Sequence, residues 1–242
     1  MKKFLQFTLL LVVLSITRQG FSQQFDYSDS WGDHGFSIQN EDHTNVIINY
    51  SLKSFTLSDL DLDGEQLKTV GVPGVFLPND EGAPDLAGTG RFIAIPQGAV
   101  ASLKVTSSRT EILKNISIAP APRIPLDTDT GPLKYEKNQK IYSKNALYPE
   151  EPVKLSAPTQ IRGVDVVMLG ITPFQYNPVT KELIIYRDLK IEVTYQGGTG
   201  HVGDDRLRSR WWDPIIYDAV LNPESIPEID YSKKHGSAKT PD

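Results

Sequence analysis

The sequence predicts an all-β fold: an antiparallel β-sandwich, jelly-roll-like, with one short helix near the C-terminus. Three observations lead there. Short runs of alternating apolar and polar residues recur along the chain, separated by Gly-, Pro- and Asn-rich turn signals, which is the pattern of half-buried strands. The clearest lies within Arg162–Gly198, where Leu189, Ile191, Val193 and Tyr195 share one face and Lys190, Glu192 and Thr194 the other. Only one stretch, beginning at Asp213, has helical spacing. The 242 residues contain no cysteine, so a single sizeable core must hold the chain without disulfides.

Taken in order, the chain begins with an address. Lys2-Lys3, the apolar run Phe4–Ile16 and the small residues around Gly20-Phe21-Ser22 form a signal peptide over 1–22, cleaved between Ser22 and Gln23. Export to the periplasm or the cell surface is expected. The apolar run is too short for stable membrane insertion, and the absence of cysteine removes lipoprotein acylation. Residues 23–42 read as a lead-in pinned to the body by Phe25, Tyr27, Trp31 and Phe36.

The body spans 43–198. Val46, Ile48, Tyr50 and Leu52 alternate, and Phe55 and Leu57 continue with the opposite parity, which predicts a bulge near Ser54. Asp59, Asp61 and Asp63 before Gly64 resemble half a calcium loop, but position twelve is Val70 rather than a chelating Glu. An edge strand ending in an Asp-Gly turn accounts for them better, and they stay a weak metal candidate. A strand follows over Arg91–Ile95. Val100–Ser107 and Thr110–Ile118 read as a hairpin around Ser107-Ser108-Arg109.

Seven prolines then break 119–158. Between them runs a polar stretch carrying Lys134, Lys137, Lys140 and Lys144, interleaved with Tyr135, Tyr142 and Tyr148. After the hairpin centred on Tyr176-Asn177-Pro178, residues 199–242 form a linker, a helix over about 213–222 and a loose tail. In that helix Asp213 is the expected N-cap, Pro214 the first helical residue, and Ile215, Ile216, Ala219 and Val220 the apolar stripe.

Chemistry is sparse. The four histidines have no HExxH or HxH spacing, Gly88-Thr89-Gly90 lacks the third glycine of a dinucleotide turn, and no GxSxG elbow exists. The net charge is −5 with scattered Lys and Arg, which argues against a nucleic-acid partner. No cofactor is expected. The chain reads as a binding or regulatory module rather than an enzyme.

A family resemblance completes the reading. Gly82-Ala83-Pro84-Asp85-Leu86 leading to Phe92–Pro96, the Pro173–Pro178 turn, the Leu183–Tyr195 strand and the aromatic-rich Trp212–Asn222 resemble the N-terminal propeptide of gingipain-type cysteine peptidases of Bacteroidetes, peptidase family C25. The resemblance covers roughly Val46 to Ile226. It implies an all-β prodomain that assists folding of a C25 cysteine peptidase domain and keeps it latent during export, including type IX secretion. It also implies a basic residue on an exposed loop set in the peptidase's specificity pocket. Lys134, Lys137 and Lys140 are the foremost candidates, with Lys144 beside them and Arg123 outside. Residues 236–242 fall where such a peptidase domain would begin, so a truncated zymogen, with the partner in cis if the gene continues and otherwise in trans, is one expectation. The alternative is a cell-surface β-sandwich binding glycan or protein through its exposed aromatics.

Overall fold

The strand β12 (Glu182–Gly197) organises the molecule, which this computed structural model describes over residues 22–75 and 80–234. One side of β12 pairs end to end with β11 (Phe174–Asn177) and then β3 (Asn45–Ser51). The other side pairs with β7 (Ala99–Leu113) along nearly its full length, and β2 (Gly35–Glu41) adds outside β3. A second sheet has the order β6-β10-β8, with β9 also on β10: β6 (Thr89–Ala94), β8 (Val153–Leu155), β9 (Thr159–Ile161) and β10 (Val164–Ile171). A third sheet joins β1 (Ser22–Asp26), β4 (Ser54–Leu62) and β5 (Glu65–Gly71). Every strand pairing within the three sheets is antiparallel. The all-β class read from the sequence holds.

One core joins all three sheets. Val46, Ile48 and Tyr50 of β3, Phe55 and Leu57 of β4, Val167, Leu169 and Ile171 of β10, and Leu189, Ile191 and Val193 of β12 are buried in a single cluster. Phe55 is its aromatic hinge, stacked on Phe25 at 4.5 Å between ring centres and edge-on to Phe174 at 5.3 Å. The segment 23–42 is more than a lead-in: Phe25 and Phe36 enter this packing from paired strands.

β10 is apolar on both faces because it has a core on each. Val167, Leu169 and Ile171 face the main cluster, while Val164 and Val166 join Ala94, Ile216, Val220 and Ile226 in a second one. The helix α2 (Asp213–Ala219) thereby covers the outer face of the second sheet. The chain after it also closes the open edge of β6. Leu221 donates its N–H to the Phe92 carbonyl at 2.8 Å, and Asn222 both accepts from the Ala94 N–H (2.7 Å) and donates to the Ala94 carbonyl (2.9 Å). A 3₁₀ turn, Pro223–Ser225, and the one-turn α3, Tyr231–Lys234, follow.

Several local expectations change. The parity switch after Leu52 is a change of sheet, from β3 to β4, rather than a bulge at Ser54. The expected hairpin about Ser107-Ser108-Arg109 is one continuous 15-residue strand, because the 16-residue β12 offers an unbroken partner. Irregularities at Thr106 and Arg187 absorb the twist without turning the chain. The first apolar run of Arg162–Gly198 belongs to the second sheet, so the hairpin proper is β11–β12. Its turn is held by Asn177, whose side-chain oxygen accepts from the N–H groups of Val179 (3.0 Å) and Thr180 (3.2 Å). The helix ends at Ala219, and Asp213 does not cap it. Its carboxylate is drawn instead to Arg208 (2.8 Å) and to the Tyr231 hydroxyl (2.7 Å). Ile216 and Val220 form the buried stripe, with Ile215 left outside.

Candidate functional site

The chain between Ala121 and Asn138 leaves the body as a loop fixed at both ends. Before it, Ser117–Ala121 lies between β5 and the 82–85 segment: Ala119 N–H donates to the Lys68 carbonyl (2.9 Å), and Ala121 N–H to the Ala83 carbonyl (2.7 Å). After it, Asn138 N–H donates to the Gly82 carbonyl at 2.9 Å. Gly82 has φ +76°, and a Cβ there would lie 2.7 Å from the Glu136 carbonyl oxygen, so glycine is required where the returning limb crosses. The Asn138 side chain then accepts from the Lys140 N–H (3.1 Å) and caps the one-turn helix α1 (Gln139–Tyr142), and Tyr142 anchors it by donating to the Ile118 carbonyl (3.1 Å).

Inside the loop, Arg123 N–H donates to the Lys134 carbonyl at 3.2 Å, forming a rung across the two limbs. Nearer the tip, Asp129 accepts from the Leu126 N–H (2.9 Å) and from the Arg123 guanidinium (2.5 Å). The loop is therefore exposed but braced.

The basic candidates divide by their partners. Arg123 is committed to Asp129. Lys137 reaches both oxygens of Glu65 at 2.6 Å and sits 5.5 Å over the Tyr142 ring, so it staples the loop to β5. Lys134 is exposed on the loop itself, while Lys140 and Lys144 are exposed on and just beyond α1, against the body. The structure brings Arg123 and Lys134 together at the rung and sets Lys140 and Lys144 apart from it. Burial, then the neighbouring Asp80 charge, pushes the Tyr148 phenol up to about 12, and burial raises Tyr142 further, so both stay neutral and structural at physiological pH.

Asp59, Asp61 and Asp63 lie on the β4–β5 hairpin. Asp59 pairs with Lys68, Asp61 accepts from the Gly64 N–H (2.8 Å) and Gln66 (2.5 Å), and Asp63 occupies the positive-φ turn position. Among the described residues no group of three acidic or histidine side chains is placed to hold a metal. Ser22 and Gln23 open β1 opposite Ser58 and Leu57. The rest of the expected signal peptide lies outside the described residues. A cleft of about 660 Å³ is lined by Glu41, Asp42, His43, Tyr195, His201 and Glu224. There Glu41 is occupied in accepting from Asn222 (2.7 Å) and from Ser225.

Sequence reading passes over the aliphatic residues of the loop. Ile124, Leu126 and Leu133 are exposed, and the signal was their position beside Pro125 and Pro132 in a stretch with no core pattern.

The family model for the C25 propeptide matches residues 38–206. Lys-gingipain HG66 of Porphyromonas gingivalis is 24% identical over 180 residues, which is 72% of this chain and 10% of that protein. The chain thus spans about a tenth of the length of that relative. Among solved structures, the complex of Porphyromonas gingivalis RgpB pro- and mature domains superposes with a TM-score of 0.70 at 20% identity, covering 80% of this chain and 98% of the matched one. A structure described as giving insight into zymogenic latency of gingipain K from the same organism matches with a TM-score of 0.59 at 20% identity, covering 74% and 99%.

Proposed function

This chain belongs to the C25 propeptide family, and from that premise we propose that it is an exported, non-catalytic prodomain that binds a gingipain-type cysteine peptidase, assists its folding and holds it latent. The observation that carries the reading is the braced loop 122–137, which presents Lys134 to solvent on a backbone already fixed by the Arg123 rung and the Asp129 staple. A pre-ordered loop loses less freedom on entering a cleft than a loose one, which favours tight binding. Lys134 enters the specificity pocket as a substrate side chain would, and Lys137 stays behind as the staple to Glu65. The peptidase is supplied in cis where the reading frame continues, and in trans otherwise. The signal peptide over 1–22 delivers the chain to the periplasm or cell surface.

The fold of the two gingipain structures supports this reading, since one contains a prodomain with its mature domain and the other concerns zymogen latency. The test is titration of the purified chain against a C25 peptidase that cleaves after lysine, with residual peptidase activity as readout. Inhibition that falls at least tenfold on Lys134→Ala is expected, the scale set by losing a charged hydrogen-bonded contact in a pocket. Absence of both binding and inhibition rejects the proposal.

A further inference from the structure

Three aliphatic side chains stand on the loop with little of their own chain over them. Ile124, Leu126 and Leu133 are 66%, 62% and 47% exposed. Single exposed leucines are common on protein surfaces, but here three fall within ten residues of one loop. Their placement is fixed rather than incidental. Ile124 and Leu133 are the first residues on the tip side of the Arg123–Lys134 rung, one on each limb, and Leu133 directly precedes the exposed lysine. Leu126 begins the turn closed by the Asp129 N–H to Leu126 carbonyl bond at 2.9 Å. Pro125 and Pro132 restrict the backbone beside them.

Burying the exposed part of such side chains is favourable, and the free chain leaves that driving force unused. Resting on the reading that this loop enters a peptidase cleft, we propose that the partner peptidase recognises it through apolar subsites as well as through its pocket for a basic side chain. Leu133, the residue immediately before Lys134, fills the subsite next to that pocket. Ile124 and Leu126 form an aliphatic shoulder that packs on the rim. The substrate class this defines is peptides with a large aliphatic residue directly N-terminal to the basic residue at the cleavage point.

The experiment compares the full chain with its Leu133→Ser, Ile124→Ser, Leu126→Ser and Lys134→Ala variants as inhibitors of a lysine-cleaving C25 peptidase. It also measures kcat/KM of the same peptidase on peptides differing only by Leu-Lys against Ser-Lys. Leu133→Ser is expected to weaken inhibition about tenfold or more, with a similar factor between the two peptides, the scale of losing an aliphatic group from an apolar pocket. The Ile124 and Leu126 variants weaken inhibition in the same direction. Thermal midpoints stay unchanged, which separates lost recognition from lost folding. Wild-type inhibition that depends on Lys134 but is indifferent to all three serine variants overturns this inference and leaves the proposed function standing. No inhibition by the wild-type chain overturns both.

Discussion

Asp188 shows how much one buried charge can organise. It is fully buried on β12 beside the Arg187 irregularity, and it accepts from Ser51 (2.6 Å), from the Trp31 N–H (2.9 Å) and from two nitrogens of Arg109 (2.8 and 2.5 Å). Four donor atoms from three other segments meet on one carboxylate, and Asp29 ties the loop before β2 to both Arg109 and Arg187. Asp188→Asn is expected to destabilise the protein by about 3 kcal/mol in a urea titration, since it removes one partner of a buried ion pair. A loss within the range of ordinary surface substitutions, under about 0.5 kcal/mol, contradicts that role. His34 makes a pH-dependent contribution of the opposite kind. Its Nδ1 accepts the Lys53 N–H at 3.1 Å, and burial together with the Lys53 charge holds its pKa below the usual value. As pH falls through about 6.5 the unfolded chain takes up the proton first, so this stabilisation is complete above that pH and is lost below it. The thermal midpoint of the wild type should therefore drop further than that of His34→Gln between about pH 7 and pH 5. Parallel profiles for the two proteins contradict the assignment.

At the scale of elements, the described residues 208–231 are structural rather than loose. Arg208 is buried and bonded to Asp213, to the Tyr217 hydroxyl (2.9 Å) and to the Pro227 carbonyl (2.5 Å), which draws the linker, α2 and the last turns together. Ile216→Ala is expected to cost about 3 kcal/mol by opening a cavity over β10. Asn222→Ala is expected to cost about 2 kcal/mol by leaving the Ala94 N–H and C=O without their side-chain partner. Both are read from denaturant midpoints, and unchanged midpoints would mean that the segment is dispensable. Strands with one buried face, such as 46–52 and 189–195, were legible from alternation alone. β10 was not assignable to a sheet, because a strand apolar on both faces gives no parity to read. β7 was broken in two by the polar Ser107-Ser108-Arg109, which is how an exposed edge strand reads when its inner neighbours lie elsewhere in the chain. The loop lysines were legible as a type. Which of them is engaged was not, since Lys137 finds Glu65 across 72 residues of sequence.

At the scale of the whole molecule, the three sheets, α2 and the closing segment make a scaffold that carries one braced projection, and the proposed function places inhibition there. β5, the 82–85 segment and α1 hold the base of the loop, and the remaining strands hold those elements. Inhibition should therefore be separable from folding and from part of the binding. The most direct measurement replaces residues 124–134, Lys134 included, with a Gly-Ser linker of equal length and titrates both proteins against a lysine-cleaving C25 peptidase. The account predicts that the wild type blocks cleavage while the replaced chain, with its thermal midpoint preserved, no longer does. Equal inhibition by the two proteins would contradict it.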